Sequence, residues 1–414
     1  MLQTLLIIIL SLMIKLDEGQ LDAIKKLRTG SILCGGVGSG KSRTSLAYYF
    51  LKQGGSLDPY IPMDLYKAKD LYIITTARKR DTLEWEDEVR PFRLSKPDDK
   101  DRTYICNYYV DSWNNIKKYR DVKNAFFIFD EQRVVGNGIW SRSFLHIAKN
   151  NDWILLSATP GDCWSDYIPV FIANGFYKNK TDFQQQHIIY KPFRTYPVID
   201  RYVNTRKLEY FKSQILVDID YQSPAEEIYI DVAVDFDKPL YLSIVNTRMN
   251  PYTSLPLQNA SDYCALLRKI VNSDPSRVNA ILNLLARHDK VIIFYNFDYE
   301  LEILHNALTE NGYHYSEWNG HKHEPILKED KWVYLIQYSA GSEGWNCIET
   351  NVIIFFSQTY SYKQMVQSAG RINRRNTPFK QLYLYKLKSQ APIDKAISWS
   401  LKHKKDFNAR TFAS

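Results

Sequence analysis

The sequence predicts an α/β protein built as two tandem lobes, each a parallel sheet flanked by helices. Three observations predict it. Apolar runs of strand length alternate with polar or helical stretches over residues 15–178. A second alternating block of the same kind fills residues 263–414. A glycine-rich loop joins the first apolar run to a helical stretch, a junction that belongs to parallel sheets with covered faces. A length of 414 residues suits two or three domains, and a hydrophobic fraction of 45% supplies enough apolar side chains for a core in each.

Element by element, the first lobe opens on the run Ser31-Ile32-Leu33-Cys34, followed by Gly35-Gly36-Val37-Gly38-Ser39-Gly40-Lys41-Ser42 and a helix over Arg43 to Phe50. The loop reads Gly-x4-Gly-Lys-Ser, a P-loop. Gly35, Gly38 and Gly40 let the backbone curl with its N–H groups, Ser39 included, pointing inward at a phosphate chain. Lys41 supplies positive charge to the outer phosphates, and the Ser42 hydroxyl is a hard oxygen ligand suited to Mg²⁺. The helix that follows presents its positive end to the same anion. An isolated glycine turn would match the pattern too, but the strand-loop-helix setting favours nucleotide binding, with ATP and Mg²⁺ the expected cofactors.

Further strands are expected at Leu71–Thr75, Thr103–Tyr109, Ala125–Phe129 and Trp153–Leu156. The third ends in Asp130-Glu131-Gln132-Arg133, two acids at the carboxyl end of a strand, where a parallel sheet binds its ligand. Asp130 is the candidate for holding Mg²⁺ and Glu131 for polarising a water in line with the γ-phosphate. An acidic pair after a strand is common on surfaces; in a P-loop chain it carries weight. The fourth strand ends in Ser157-Ala158-Thr159-Pro160, whose hydroxyls at Ser157 and Thr159 can bond neighbouring carboxylates; alone it is a polar turn before proline.

Residues 179–262 mix aromatic, basic and proline residues with one expected strand, Glu227–Val234, and read as an irregular linker or insertion. Beyond it, helices are expected at Asp262–Val271, Val278–His288 and Tyr299–Asn311, with strands at Lys290–Tyr295, Lys331–Tyr338, Asn351–Phe356 and Gln381–Leu387. Near the end stands Gln367-Ser368-Ala369-Gly370-Arg371-Ile372-Asn373-Arg374-Arg375. Arg371 and Arg374, three apart, share a face if the helix continues. Two guanidiniums offered from a second lobe can neutralise charge on a transferring phosphoryl group; contact with a nucleic-acid backbone is the blander use.

Composition bounds the partners. Lys plus Arg number 54 against 46 Asp plus Glu, a net charge of +8 that leans toward a polyanion. The five cysteines, Cys34, Cys106, Cys163, Cys264 and Cys347, form no Cys-x-x-Cys pair, which argues against a zinc site or disulfide framework and for a reducing cytoplasm. The apolar run Leu5 to Ile14 is too short to span a bilayer and lacks a basic flank, so no membrane association is expected. Residues 1–14 read as an apolar N-terminal extension, with Met13 an internal initiator and the residues before it upstream of the true start. His321 and His323 lack an acidic or cysteine partner in sequence and read as a solvated loop.

In their order, the P-loop, Asp130-Glu131-Gln132-Arg133, Ser157-Ala158-Thr159 and Gln367 to Arg374 resemble the motifs of superfamily-two helicases and translocases. The Swi/Snf-like branch is closer still. Thr82-Leu83-Glu84-Trp85-Glu86-Asp87-Glu88 looks like its Leu-x-x-x-Trp-x-x-Glu element, Leu267-Arg268-Lys269-Ile270-Val271-Asn272 like its opening to the second lobe, and Trp318-Asn319-Gly320 like its Asp-Gly turn. Ala340-Gly341-Ser342-Glu343-Gly344-Trp345-Asn346 resembles its loop before the final strands. The likeness spans about Gln20 to Phe407 and implies two tandem RecA-like P-loop domains.

It also implies that Gln20 reads adenine, that Gln367 is the polar residue opening the arginine segment, that Arg371 and Arg374 are finger arginines, and that Glu343 and Gly344 touch nucleic acid and nucleotide. Gln132 and Arg133 depart from the usual motif. The expected activity is an ATP-dependent DNA helicase or translocase acting on single-stranded or duplex DNA without sequence preference. With few accessories, the chain looks most like a compact phage replication or recombination helicase, working with replication proteins in a bacterial host cytoplasm. A nucleic-acid-binding ATP switch or loader, and an RNA helicase, remain alternatives.

Overall fold

The computed structural model describes residues 14–36, 38–64, 68–97, 107–131, 134, 138–158, 160–161, 163–192, 196–341 and 347–413. The chain divides into two compact units, 1–222 and 223–414. Each holds one six-stranded, all-parallel sheet with helices around it, so the expected pair of RecA-like domains is the fold observed.

The first sheet is formed by β1 (Ile32–Cys34), β2 (Leu71–Thr75), β3 (Tyr108–Ser112), β4 (Phe126–Asp130), β5 (Asp152–Ser157) and β6 (Leu216–Asp218), in the order β6-β1-β5-β4-β2-β3. The apolar run of β4 is continuous because both faces are covered. Phe126 and Ile128 pack with Leu46, Ile154 and Leu156 on one side, and Phe127 and Phe129 with Phe144, Trp153 and Leu155 on the other. Burial of each such side chain stabilises the unit by about 1.5–3 kcal/mol.

Register brings the working ends of the central strands level. Cys34 pairs with Ser157, and Leu156 with Asp130, so β5 separates the end of β1 from the end of β4 by one strand.

Two expectations change. The strand placed at Thr103–Tyr109 begins at Tyr108 among the described residues and runs on to Ser112. Its polar end is hidden because the Asp111 carboxylate accepts hydrogen bonds from Tyr119 (2.7 Å), Asn115 (2.8 Å) and Arg80 (3.2 Å). The stretch 179–262 is not one irregular linker. Its first part folds into helices Lys180–His187 and Thr205–Ile215, the hairpin of Ile188–Tyr190 with Ile199–Tyr202, and edge strand β6, all in the first unit. The remainder, from Ser223, belongs to the second. Strand β6 is three residues long and carries no alternating pattern, which is why its sequence does not announce it.

The second sheet comprises β7 (Glu226–Ala233), β8 (Lys290–Tyr295), β9 (Tyr315–Trp318), β10 (Trp332–Gln337), β11 (Val352–Phe355) and β12 (Gln381–Lys388), ordered β7-β12-β11-β8-β10-β9. Its covering helices are pinned by a buried charge network. Arg277 donates to the carbonyls of Val271 and Phe356 and to Asp394 (2.9 Å), while Glu300 accepts from Asn272 (2.7 Å), Ser357 (3.0 Å) and the Asn296 amide (2.7 Å). Arg268 of the Leu-Arg-Lys element is buried with its guanidinium near the rings of Phe297 and Tyr360, 5.2 and 5.1 Å away. Among the described residues no helix is long and apolar enough to cross a membrane.

Candidate nucleotide-binding and hydrolysis site

The loop after β1 has the backbone its glycines predict. Gly38 and Gly40 lie in the left-handed region at φ +85° and +76°, which side-chain-bearing residues rarely adopt. A Cβ on Gly35 would lie 2.4 Å from Ser39 Oγ, so the start of the loop is a cradle that only glycine leaves open. Gly40 is the N-cap of helix Lys41–Lys52, which therefore starts at the P-loop lysine and holds Ser42 in its first turn. The Lys41 ammonium reaches back over the loop to the carbonyls of Gly35 (2.7 Å) and Gly36 (2.9 Å).

Gln20 lies against this loop from helix Glu18–Lys26. Its amide nitrogen donates to Thr44 Oγ1 (2.9 Å) and to the Gly40 carbonyl (3.3 Å), and its oxygen accepts the Asp17 amide in a capping box. Both amide hydrogens are engaged within the protein, so recognition of a base by Gln20 has the remaining lone pair of Oε1 to work with.

At the end of β4, Asp130 is held through one carboxylate oxygen and its backbone carbonyl. Its Oδ2 accepts from Thr75 Oγ1 (2.8 Å), Lys79 Nζ (2.9 Å) and the Trp85 indole (3.1 Å), while its backbone carbonyl accepts from the Trp113 indole (2.9 Å). No hydrogen bond to Oδ1 is made among the described residues. Glu131 leaves the strand at φ +60°, a conformation that costs a non-glycine residue about 1–3 kcal/mol. Lys79 Nζ also lies 3.7 Å from Glu131 Oε1.

The electrostatics of the site are those of cations and carboxylates crowded into a shielded corner. Burial pushes the Lys41 ammonium down to about 8, Glu131 opposing that fall and Lys79 adding to it. Burial would lower Lys79 as well, but Asp130 and Glu131 outweigh it and hold that ammonium above the usual lysine range. Between about pH 7 and pH 8, where the terminal phosphate is already ionised and Lys41 still charged, phosphate affinity is therefore expected to be flat. Above that range, where uncharged Lys41 must take up a proton to bind, affinity falls by up to tenfold per pH unit. Titrating a fluorescent ATP analogue between pH 7 and 9.5 checks this; Lys41→Arg should remove the slope.

The donor set fits a nucleotide with a divalent ion: an open glycine cradle, a helix N-terminus, a lysine, a serine hydroxyl at Ser42 and a carboxylate oxygen at Asp130. Ser157 is buried at the end of β5, paired with Cys34 of β1. Thr159, Gln132, Arg133, Glu343, Gly344 and the extension 1–13 fall outside the described residues. Gln367 is buried on helix Tyr362–Ala369. Arg371 and Arg374 do not share a helix face, because Gly370 caps the helix and both arginines follow in a turn and an irregular segment. Arg371 is buried and Arg374 half-buried.

Sequence reasoning missed Thr75 and Lys79. The run Arg78-Lys79-Arg80 looks like a solvated basic turn, and nothing local distinguishes the middle residue. Only the placement of helix Ala77–Asp81, which brings Lys79 Nζ to 2.9 Å from Asp130 Oδ2, does so.

Residues 276–376 match the family described as the helicase conserved C-terminal domain, a span that runs from the helix before β8 through Arg371, Arg374 and Arg375. No curated protein matches the chain. Among solved structures the chain is similar to the SWI2/SNF2 ATPase core of Sulfolobus solfataricus in complex with double-stranded DNA. The two share 15% identity over 94% of this chain and 91% of that one, with a TM-score of 0.42. The helicase family match lies wholly in the second unit, and the P-loop and the acidic pair lie in the first.

Proposed function

We propose that the protein is an ATPase stimulated by nucleic acid that couples hydrolysis to movement along DNA, as a helicase or translocase. One observation carries the reading. The P-loop and the Asp130-Glu131 pair lie at the same edge of one parallel sheet, with Lys41 feeling both carboxylates, in a chain whose second unit matches a helicase domain. A bound divalent ion would offset charge on the nucleotide's outer phosphates. Lys41 and the N-terminus of its helix would hold those phosphates, Ser42 and Asp130 would hold the ion, and Glu131 would orient and deprotonate the attacking water. Arg371 and Arg374 are the candidates for stabilising the charge that develops on transfer.

Contact with a polyanion has support in the first unit. The hairpin and helices following the Ser-Ala-Thr segment expose Lys178, Lys191, Arg201, Arg206 and Lys207 alongside Tyr190, Tyr196 and Tyr210. Exposed cations interleaved with aromatic rings suit a phosphate backbone with stackable bases. The finer reading, a DNA rather than RNA motor serving phage replication, rests on the Swi/Snf-like elements at Trp85, Arg268 and Trp318.

ATPase rates measured with single-stranded DNA, duplex DNA and RNA test the proposal. DNA is expected to stimulate several-fold and RNA poorly. Stimulation should fall steeply with salt, since a protein making six to ten phosphate contacts loses roughly 10³–10⁵ in affinity between low and physiological salt. Equal rates with and without nucleic acid would replace the motor with an ATP switch, and preferential stimulation by RNA would make it an RNA helicase.

A further inference from the structure

We propose that the short helix Glu84–Val89 braces both halves of the nucleotide site, with Trp85 and Glu88 as positioning residues for hydrolysis. The inference rests on the nucleotide-site reading above and goes beyond it in giving the Trp-x-x-Glu element a physical task.

Trp85 is 2% exposed and packs in the core that holds Leu46 and Phe50 of the P-loop helix. Packing alone would be served by any large apolar side chain. The indole N–H is the part that packing does not need, and it is aimed at Asp130 Oδ2, 3.1 Å away. Thr75 and Lys79 donate to the same oxygen, so Oδ2 is fully engaged. A carboxylate fixed in this way presents its other oxygen in one direction, which is what a hard cation requires of a ligand. One helical turn further on, Glu88 Oε2 accepts from Arg43 Nε at 2.6 Å. Arg43 lies two residues beyond Lys41 on the P-loop helix. Trp85 and Glu88, three apart, occupy neighbouring positions on their helix. A single element therefore holds the metal-binding acid at one position and the phosphate-binding helix at the next. The Arg43–Glu88 pair is partly exposed, at 26% and 35% of its side chains, so its contribution is to placement more than to stability.

The two contacts predict separable effects. Binding of a fluorescent ATP analogue is measured across a Mg²⁺ titration and again without metal, with thermal melts alongside. Trp85→Phe removes only the N–H donor and should raise the half-saturating Mg²⁺ about tenfold, the loss of one hydrogen bond to a charged group, with metal-free affinity held within about twofold. Thr75→Val removes another donor to the same oxygen and should show the same signature, which keeps the test decisive if Trp85→Phe fails to fold. Glu88→Gln should weaken binding by a similar factor with and without metal, leaving the Mg²⁺ midpoint in place, and the exchange Arg43→Glu with Glu88→Arg should restore it. An unchanged Mg²⁺ midpoint in both Trp85→Phe and Thr75→Val overturns the brace. So does a uniform shift in every variant that tracks the loss of melting temperature. A wild-type chain that binds no analogue at any Mg²⁺ concentration would instead overturn the nucleotide site itself.

Discussion

Lys41→Ala is expected to abolish nucleotide turnover while leaving the first unit folded. The side chain packs over the loop rather than in the core, and its partners are two loop carbonyls that water can satisfy once it is gone. What is lost is the one cation that the P-loop itself offers to the outer phosphates. The helix N-terminus remains, with an effect of only about 0.3–2 kcal/mol, too little to replace a full charge in a shielded site. Glu131→Gln is expected to separate binding from chemistry. An amide of the same shape keeps the phosphate contacts but cannot take a proton from water, and loss of a general base typically costs 10²–10⁴-fold in rate, about 3–5 kcal/mol. Single-turnover hydrolysis and equilibrium binding of the analogue, measured side by side, check both. Turnover of Glu131→Gln within about tenfold of wild type would show that the two acids have been assigned the wrong roles.

Arg371→Ala and Arg374→Ala are expected to lose about 10³-fold or more in hydrolysis rate, roughly 4 kcal/mol of transition-state stabilisation, with far smaller changes in ATP affinity. The turn after Gly370 sets the two arginines on different backbone directions, so their effects need not be equal. Arg371, the more buried, carries the greater risk of a folding defect on truncation; Arg371→Lys keeps the charge while removing the planar fork. Arg374→Ala that hydrolyses normally but no longer binds DNA would move that residue to a backbone-contact role.

Much of this site is legible in the amino-acid sequence because its signals are local. A P-loop needs glycine at defined positions for φ and for space, and both demands appear at Gly35, Gly38 and Gly40. The helix beginning at Lys41 and the strand ending at Asp130 follow from apolar periodicity and length, which survive in sequence because both faces of the sheet are covered. Weak local signals mislead. The three-residue spacing of Arg371 and Arg374 suggests a continuing helix, yet Gly370 stops it. Strands β6 and β9, of three and four residues, lack the length to stand out against their surroundings.

By itself the sequence determined the two-lobed parallel architecture, the nucleotide loop, the acidic pair and the order of motifs, since each depends on residues close together in the chain. The tertiary structure decided what surrounds them. Thr75, Lys79 and Trp85, from one strand and two helices, meet at one carboxylate oxygen of Asp130 only because β2 pairs with β4. Tertiary structure likewise put Gln20 on Gly40 and Glu88 on Arg43, across 20 and 45 residues of chain. Such contacts leave no periodic trace. They are set by strand order and helix packing, and a basic turn that closes on an active-site acid is written in the same residues as one that faces water.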